Sequence, residues 1–367
     1  MPGPEPSTLN HNEGGADVAI IGDGVIGLST ALELARRGAT CCILGQHQVG
    51  AASSAAAGLL APTIGVQPTA ARPMFIASLE LYPAFLQSLR EFDSGLSMLR
   101  GLIEIFDEPP TQSRDASSPV LRPAELMELE PLLSAPFGGL LHARDGAIDN
   151  VRLVGALRAA AMSHPNVRYF TDAPAVAIAT TGRSVAVSLV DGSRVEAGHI
   201  VIAAGAWSPF IGGLPRRLPV SPLKGQMLAL EAIGLRHAVM GQEVYLVPRE
   251  HEIVVGATSE HAGFDITTTP DGIDGLRRAA ESLLPGLSAA KLVRTWAGIR
   301  PATPDMLPLI GPDPAAPSVL YACGHSKNGI LLAPATARAI ADLAEGARPE
   351  WDLAAFSVSR FPETLSS

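Results

Sequence analysis

The sequence predicts an α/β fold made of two interleaved regions, and three observations predict it. At 367 residues the chain is too long for one ordinary core and short for three. A strand, a glycine turn, a helix and a second strand open it, an order that lays two parallel strands side by side. Strand-length runs between residues 224 and 256 then read as an antiparallel group. Hydrophobic residues make up 47% against 17% charged, with glycine and proline plentiful and aperiodic, so a large core with many turns is expected.

Met1 to Gly15 is polar, with no basic start and no apolar centre, and reads as a disordered leader. Asp17 to Ile21 is an apolar run ending in glycine; Val25 to Arg37 has helical spacing and stops at Arg-Arg-Gly; Thr40 to Leu44 is a second buried strand. Small residues dominate Gly45 to Gly65, which lets a ligand approach the backbone closely. Met74 to Phe92 is helical, Gly101 to Phe106 a strand and Pro109 to Pro119 a polar loop. Asn150 is placed to cap a helix over Val151 to Ser163. Val167 to Phe170, Val176 to Thr180 and Val185 to Val190 follow as strands, with a hairpin turn at Asp191-Gly192. His199 to Ala203 is another strand, and Lys224 to Glu231, Val244 to Val247 and Ile253 to Gly256 form the antiparallel group. Val319 to Cys323 is a last buried strand before a helix over Gly329 to Leu343.

A net charge of -9 opposes phosphate backbones and anionic lipid, so neither nucleic acid nor a membrane is expected as a partner. No apolar stretch reaches the ~18 residues that span a bilayer. Adjacent Cys41 and Cys42 and lone Cys323 imply no disulfide framework. His142, His237, His251 and His261 lack metal-ligand spacing. A cytoplasmic protein acting on a small molecule follows, with a homo-oligomer left open.

Gly22-Asp-Gly24-Val25-Ile26-Gly27 stands between the first strand and the first helix, where a backbone without Cβ atoms meets a pyrophosphate at the helix N-terminus. The loop alone does not separate FAD from NAD. The second strand of such a unit normally ends in an acidic residue that binds ribose hydroxyls, but here it ends Ile43-Leu44-Gly45-Gln46. Either Gln46 supplies neutral hydrogen bonds instead or the ribose is left to water and backbone, at ~1 kcal/mol for one lost interaction.

With this loop, several further segments resemble the glycine oxidase branch of the D-amino acid oxidase family of flavoproteins, from about Asp17 to Phe356. They are Ser54-Ala-Ala-Ala57-Gly58-Leu59-Leu and Ile200-Val-Ile-Ala-Ala-Gly205-Ala-Trp207-Ser. Pro222-Leu-Lys224-Gly-Gln, Tyr245-Leu-Val-Pro-Arg249 and Val255-Gly-Ala-Thr258 follow in the family's order. So do Trp296-Ala-Gly-Ile-Arg300-Pro-Ala-Thr-Pro and Gly324-His325-Ser326-Lys327-Asn328-Gly329-Ile330-Leu331-Leu-Ala-Pro-Ala-Thr336.

The resemblance implies a Rossmann-like FAD-binding domain interleaved with an α+β substrate domain on an antiparallel sheet. It assigns residues 16–73, 146–215 and 299–350 to the first, 74–145 and 216–298 to the second, and 351–367 to a C-terminal tail. It implies an extended, noncovalent FAD, because the cysteine that links flavin in related sarcosine oxidases would align near Gly298. Gly22, Gly24, Val25, Ile26 and Gly27 take the pyrophosphate loop, and Ser53 and Ser54 lie near the phosphates. Gln46 is nearest the ribose, and Ala175 or Val176 the adenine. Ala57, Gly58 and Leu59 lie beside the ring, and Gly205 and Trp207 also contact the cofactor. His325, Ser326, Lys327, Asn328, Gly329, Ile330 and Leu331 run along the pyrimidine side, where a helix N-terminus stabilises negative charge on reduced flavin. Arg300, Tyr245 and Lys327 hold the substrate carboxylate, Lys327 standing where glycine oxidases usually carry arginine. Read without the family, Arg300 is more often a surface ion pair and Tyr245 a core residue. Trp207 and Trp296 read first as packing residues; Lys224 either reaches the cofactor face or ends in solvent.

The implied reaction removes a hydride from the Cα of a glycine-like amine or amino acid to flavin N5. It gives an imine or oxo acid, and hydrogen peroxide when oxygen is the acceptor. It needs positioning and no side-chain base. Oxidation of a sarcosine-like secondary amine or a D-amino acid, or a dehydrogenase using another acceptor, is the alternative; a noncatalytic flavoprotein descendant is the alternative of another class.

Overall fold

Alternate residues of the first two strands face different cores, which is why both strands are apolar except for exposed Asp17. The computed structural model describes residues 15–64, 68–109, 119–181, 184–241 and 244–362. In it β1 (Ala16–Ile21) and β2 (Cys41–Leu44) are parallel neighbours joined by α1 (Val25–Arg36). Val18, Ile20, Cys41 and Ile43 pack on the helical side, while Ala19, Ile21, Cys42 and Leu44 join a second core on the other face.

The first sheet runs β16 (Leu309–Pro312), β17 (Val319–Cys323), β10 (Arg194–Ile202), β1, β2, β7 (Val167–Phe170). All are parallel except β16, which is antiparallel to β17. β9 (Ser184–Leu189) pairs with the start of β10 across the expected Asp191-Gly192 turn, and β8 (Ala175–Thr181) pairs with β9.

The second sheet runs β15 (Leu292–Ala302), β11 (Ser221–Glu231), β14 (Glu252–Gly256), β13 (Tyr245–Pro248), β12 (Ala238–Met240), β4 (Met98–Ile105), β6 (Gly139–Ile148), β3 (Leu59–Leu60), with β5 (Val120–Leu121) also on β6. It is antiparallel apart from the parallel β12–β4 pair. α6 (Pro270–Leu283) covers this sheet with Leu276, Ala280 and Leu283. It starts where Thr269 accepts from the Gly272 N–H with Pro270 in the first turn. α2 (Ala52–Ala55) and α4 (Pro123–Leu129) are short.

α3 (Arg72–Gln87) and α7 (Gly329–Ala344) form a matched pair. Pro334 lies inside α7, so no amide hydrogen reaches the carbonyl of Ile330. The hydroxyl of buried Tyr82 on α3 donates to that carbonyl instead. Ser78 Oγ donates to Leu331 O at 2.7 Å and accepts from Ala335 N at 3.3 Å. Two polar side chains on an otherwise apolar face of α3 thus repair a break that proline makes.

Packing departs from the sequence expectation at several points. The boundary at 73/74 gave α3 to the substrate region, yet Met74, Phe75, Leu79 and Tyr82 lie in the core shared with α1 and α7. The cap of α5 (Asn150–Ser163) is Asp149, whose carboxylate accepts from Val151 N and Arg152 N, because Asp149 and not Asn150 has the extended backbone a cap needs. Asn150 turns inward: its Nδ2 donates to Ser53 O and its Oδ1 accepts from Arg249. Residues 351–362, expected within a tail, are packed, with Phe356 and Val358 buried and Arg360 bonded to Asp305 and Leu307 O. The leader through residue 14 and most of the Pro109 to Pro119 loop lie outside the described residues. Among the described residues no helix is long and apolar enough to cross a membrane.

Candidate cofactor and substrate site

A cavity of about 880 Å³ lies between the two sheets, bounded by the ends of β1, β2, β10 and β17 on one side and by β11, β13 and β15 on the other. At its first end the backbone does the work. Gly22 has φ +111°, and a Cβ there would run into the carbonyl of Ala203, just past the end of neighbouring β10. A Cβ on Gly27 would run into the carbonyl of Gly22, so Gly27 lets α1 sit tight against the loop without itself reaching the cavity wall. Gly24, Val25 and Ile26 do line the cavity, and α1 begins there with no acidic residue in its first turn. Its first free amide, Val25 N, donates to Ser53 Oγ at 3.0 Å. An uncapped helix start with one neutral hydroxyl beside it is an anion seat.

Gln46 and Asp23 line the same end. Ala57, Gly58, Leu59, Gly205 and Trp207 line the cavity as well. Trp207 also stacks on Phe264 at 5.2 Å, bridging the two sheets, so its packing role and its place on the wall coincide. Besides Gly27, three predicted contacts miss the cavity. Ser54 is exposed and contributes only a carbonyl to Asn150. Val176 points outward at 48% exposure while its neighbour Ala175 lines the wall. Leu331 is buried between α7 and α3.

The far end is built from side chains. Arg300, on β15, lies over β11, where a Cβ on Gly225 would stand 2.5 Å from its guanidinium; Nη1 donates to Thr258 O at 3.0 Å. Tyr245 on β13 sits opposite Gly256, whose missing side chain leaves room for the phenol. Burial pushes the Tyr245 phenol above its ordinary pKa, and the Arg300 guanidinium beside it pulls it back. Both groups face a wall of Met227, Met240, Val244 and Ile64. Lys327 is exposed at the rim.

The remaining residues of the Gly324 to Gly329 turn are held by backbone. Ser326 takes φ +50° and its N–H donates to Pro301 O, while Asn328 N donates to His325 O. The cavity sees Asn328, Gly329 and Ile330 at the start of α7, which has no side-chain cap. His325 is buried and pairs through Nε2 with Thr336 at 3.1 Å; burial pushes its pKa down to about 3, so the ring is neutral.

Lys224 does neither of the things expected of it. It is 1% exposed and its Nζ lies 2.7 Å from Asp265, tying the loop after β14 to β11; that ammonium holds the Asp265 carboxyl down at about 2. Trp296 donates to Ala55 O and lies under Arg294, away from the chemistry. Sequence reasoning also missed Met227, Met240 and Thr258 on the wall, for which no local pattern exists. It missed Asp23, which stood in view inside the glycine loop.

A glycine loop at the edge of a parallel sheet, two uncapped helix starts facing one long cavity and an Arg-Tyr pair on an antiparallel sheet define a dinucleotide-dependent oxidoreductase of two interleaved regions. The residues fit FAD: the cradle at Gly22 accepts no Cβ, one at Gly24 would crowd the Ser53 hydroxyl, and the start of α7 has no side-chain cap and lines the same cavity. The family described as FAD dependent oxidoreductase (DAO) matches residues 17–343, and the chain belongs to it. The chain is 33% identical to glycine oxidase of Pseudomonas putida, covering 93% of this chain and 97% of that one. It is 35% identical to the bifunctional protein ThiO/ThiG of Synechocystis sp. over 96% of its own residues, and spans 55% of that relative's length. The crystal structure of glycine oxidase from Geobacillus kaustophilus superposes with a TM-score of 0.85 at 32% identity, covering 95% of this chain and 99% of that one.

Proposed function

We propose that the chain oxidises a small, carboxylate-bearing amine, glycine or a close relative, to an imine that water hydrolyses to an oxo acid, with oxygen reduced to hydrogen peroxide. The observation that carries this reading is the Arg300 guanidinium, seated over Gly225 beside Tyr245 in an otherwise apolar wall at the end of the cavity away from the glycine loop. Bound, noncovalent FAD supplies the hydride acceptor. The protein supplies position: Arg300 pairs with the carboxylate and Tyr245 donates its hydroxyl to it, which turns Cα toward the ring. Met227, Met240 and Val244 exclude water around the reacting carbon. A Cβ on Gly298 would collide with Ala55, so that position has no room for a linking cysteine.

A secondary amine such as sarcosine is the second reading, favoured by Lys327. It is exposed at the rim and offers a flexible point charge where a rigid guanidinium fork would fix the carboxylate more strictly. Mixing the yellow protein anaerobically with glycine, sarcosine and D-alanine, then measuring peroxide in air, tests both. Bleaching by glycine supports the first reading and bleaching by sarcosine alone the second. Failure of every carboxylated amine to bleach the flavin overturns both.

A further inference from the structure

The strand end that normally carries an acid toward the adenosine ribose holds Gly45 here, and another side chain occupies the space. A Cβ on Gly45 would stand 2.9 Å from the carboxyl carbon and from Oδ2 of Asp23, the residue between the first two glycines of the loop. Gly45 has no positive φ, so its missing side chain is a matter of room and not of backbone conformation. The Asp23 carboxylate is held in place: Tyr169 donates to Oδ2 at 2.7 Å and Arg158 Nη2 to the same oxygen at 3.4 Å. Its side chain is 14% exposed and lines the cavity with Gly24, Leu44 and Gln46. Among the described residues no bond reaches Oδ1. An ionised carboxylate only accepts and a ribose hydroxyl donates, so the pair is complementary. Arg158 offsets a negative charge placed close to the pyrophosphate seat.

We infer that Asp23 binds the ribose of FAD in this chain. A carboxylate carried by the loop accepts from the adenosine 2′-hydroxyl in place of the strand-end acid, Gly45 makes the room and Tyr169 fixes the rotamer. The role assigned from the sequence to Gln46 passes to Asp23.

The test needs no amine substrate, so it stands apart from the proposed reaction. Apoprotein is titrated by fluorescence with FAD and with its 2′-deoxyadenosine analogue. The natural chain is expected to prefer FAD about tenfold, as one charge-assisted hydrogen bond requires. Asp23→Asn is expected to lose about tenfold in FAD affinity and to bind the two ligands alike, with the apoprotein Tm unchanged. Tyr169→Phe should show a smaller loss of the same preference. Asp23→Asn with full affinity and preference overturns the inference, as does loss of the preference in Gln46→Ala alone. A fall in Tm with equal weakening of both ligands also overturns it, since Asp23 would then be structural.

Discussion

The two sheets hold their ligands by opposite means. The parallel sheet offers backbone: Gly22 and Gly24 bring the chain to the cavity wall, and α1 and α7 both start there without a side-chain cap. The antiparallel sheet offers side chains, Arg300 and Tyr245, each given room by a glycine on the next strand. The difference teaches where substitution is tolerated. A backbone site fails when atoms are added, and a side-chain site fails when they are removed.

The sharpest break is therefore Gly22→Val. With φ +111° and the Ala203 carbonyl in the way, the loop cannot form, and the purified protein is expected to be colourless, with no flavin band near 450 nm. Arg300→Ala acts on the other side. It should keep its yellow colour while KM rises and kcat/KM falls by about 100-fold, the loss of a charge-assisted pair to the carboxylate. An unchanged KM would remove Arg300 from the site. Tyr82→Phe probes the helix pair behind the cofactor: it leaves the Ile330 carbonyl unpaired in the core and should cost about 1–3 kcal/mol in thermal or urea unfolding.

The smallest effect at neutral pH belongs to His325. Its folded pKa of about 3 lies below the ordinary 6.5, so the fold holds the ring uncharged. That contribution is complete above pH 6.5 and is lost as pH falls toward 3, where the unfolded chain takes a proton the folded one refuses. His325→Gln should flatten the acid limb of a Tm-against-pH curve; an identical limb in both proteins would show that other groups set it.

The backbone half was the more legible in the sequence. Glycines at fixed offsets after an apolar run mark β1, the loop and α1 without any knowledge of the fold, and Val319 to Cys323 before a small-residue helix marks β17 and α7. The side-chain half was legible only through the family's motifs, because Arg300 and Tyr245 are brought together by strand register that local pattern does not encode. β6 was missed since its Arg144-Asp145 pair and two glycines interrupt the apolar alternation; buried Asp145 is accommodated by a bond from Thr63, far away in sequence. Lys224 looked like a ligand residue or a surface one because sequence does not show that Asp265 meets it. Tyr82 and Ser78 carried no signal at all, their partners being carbonyls exposed by a proline on another helix.

The interleaving of the two sheets also sets a timetable for the chain's assembly. Ala16 on β1 waits for Ala197 on β10, and Ile200 on β10 in turn waits for Val319 on β17. β1 thus has both its neighbours once β10 is made, while the outer edge of β10 stays open until β17 follows late in the chain. Loops of that length close slowly, and an unpaired apolar edge stays open meanwhile. A nascent chain stalled before β17 should be a client for chaperones, and pulse-labelled hydrogen exchange should find the amides of the β10–β17 pair among the last to gain protection.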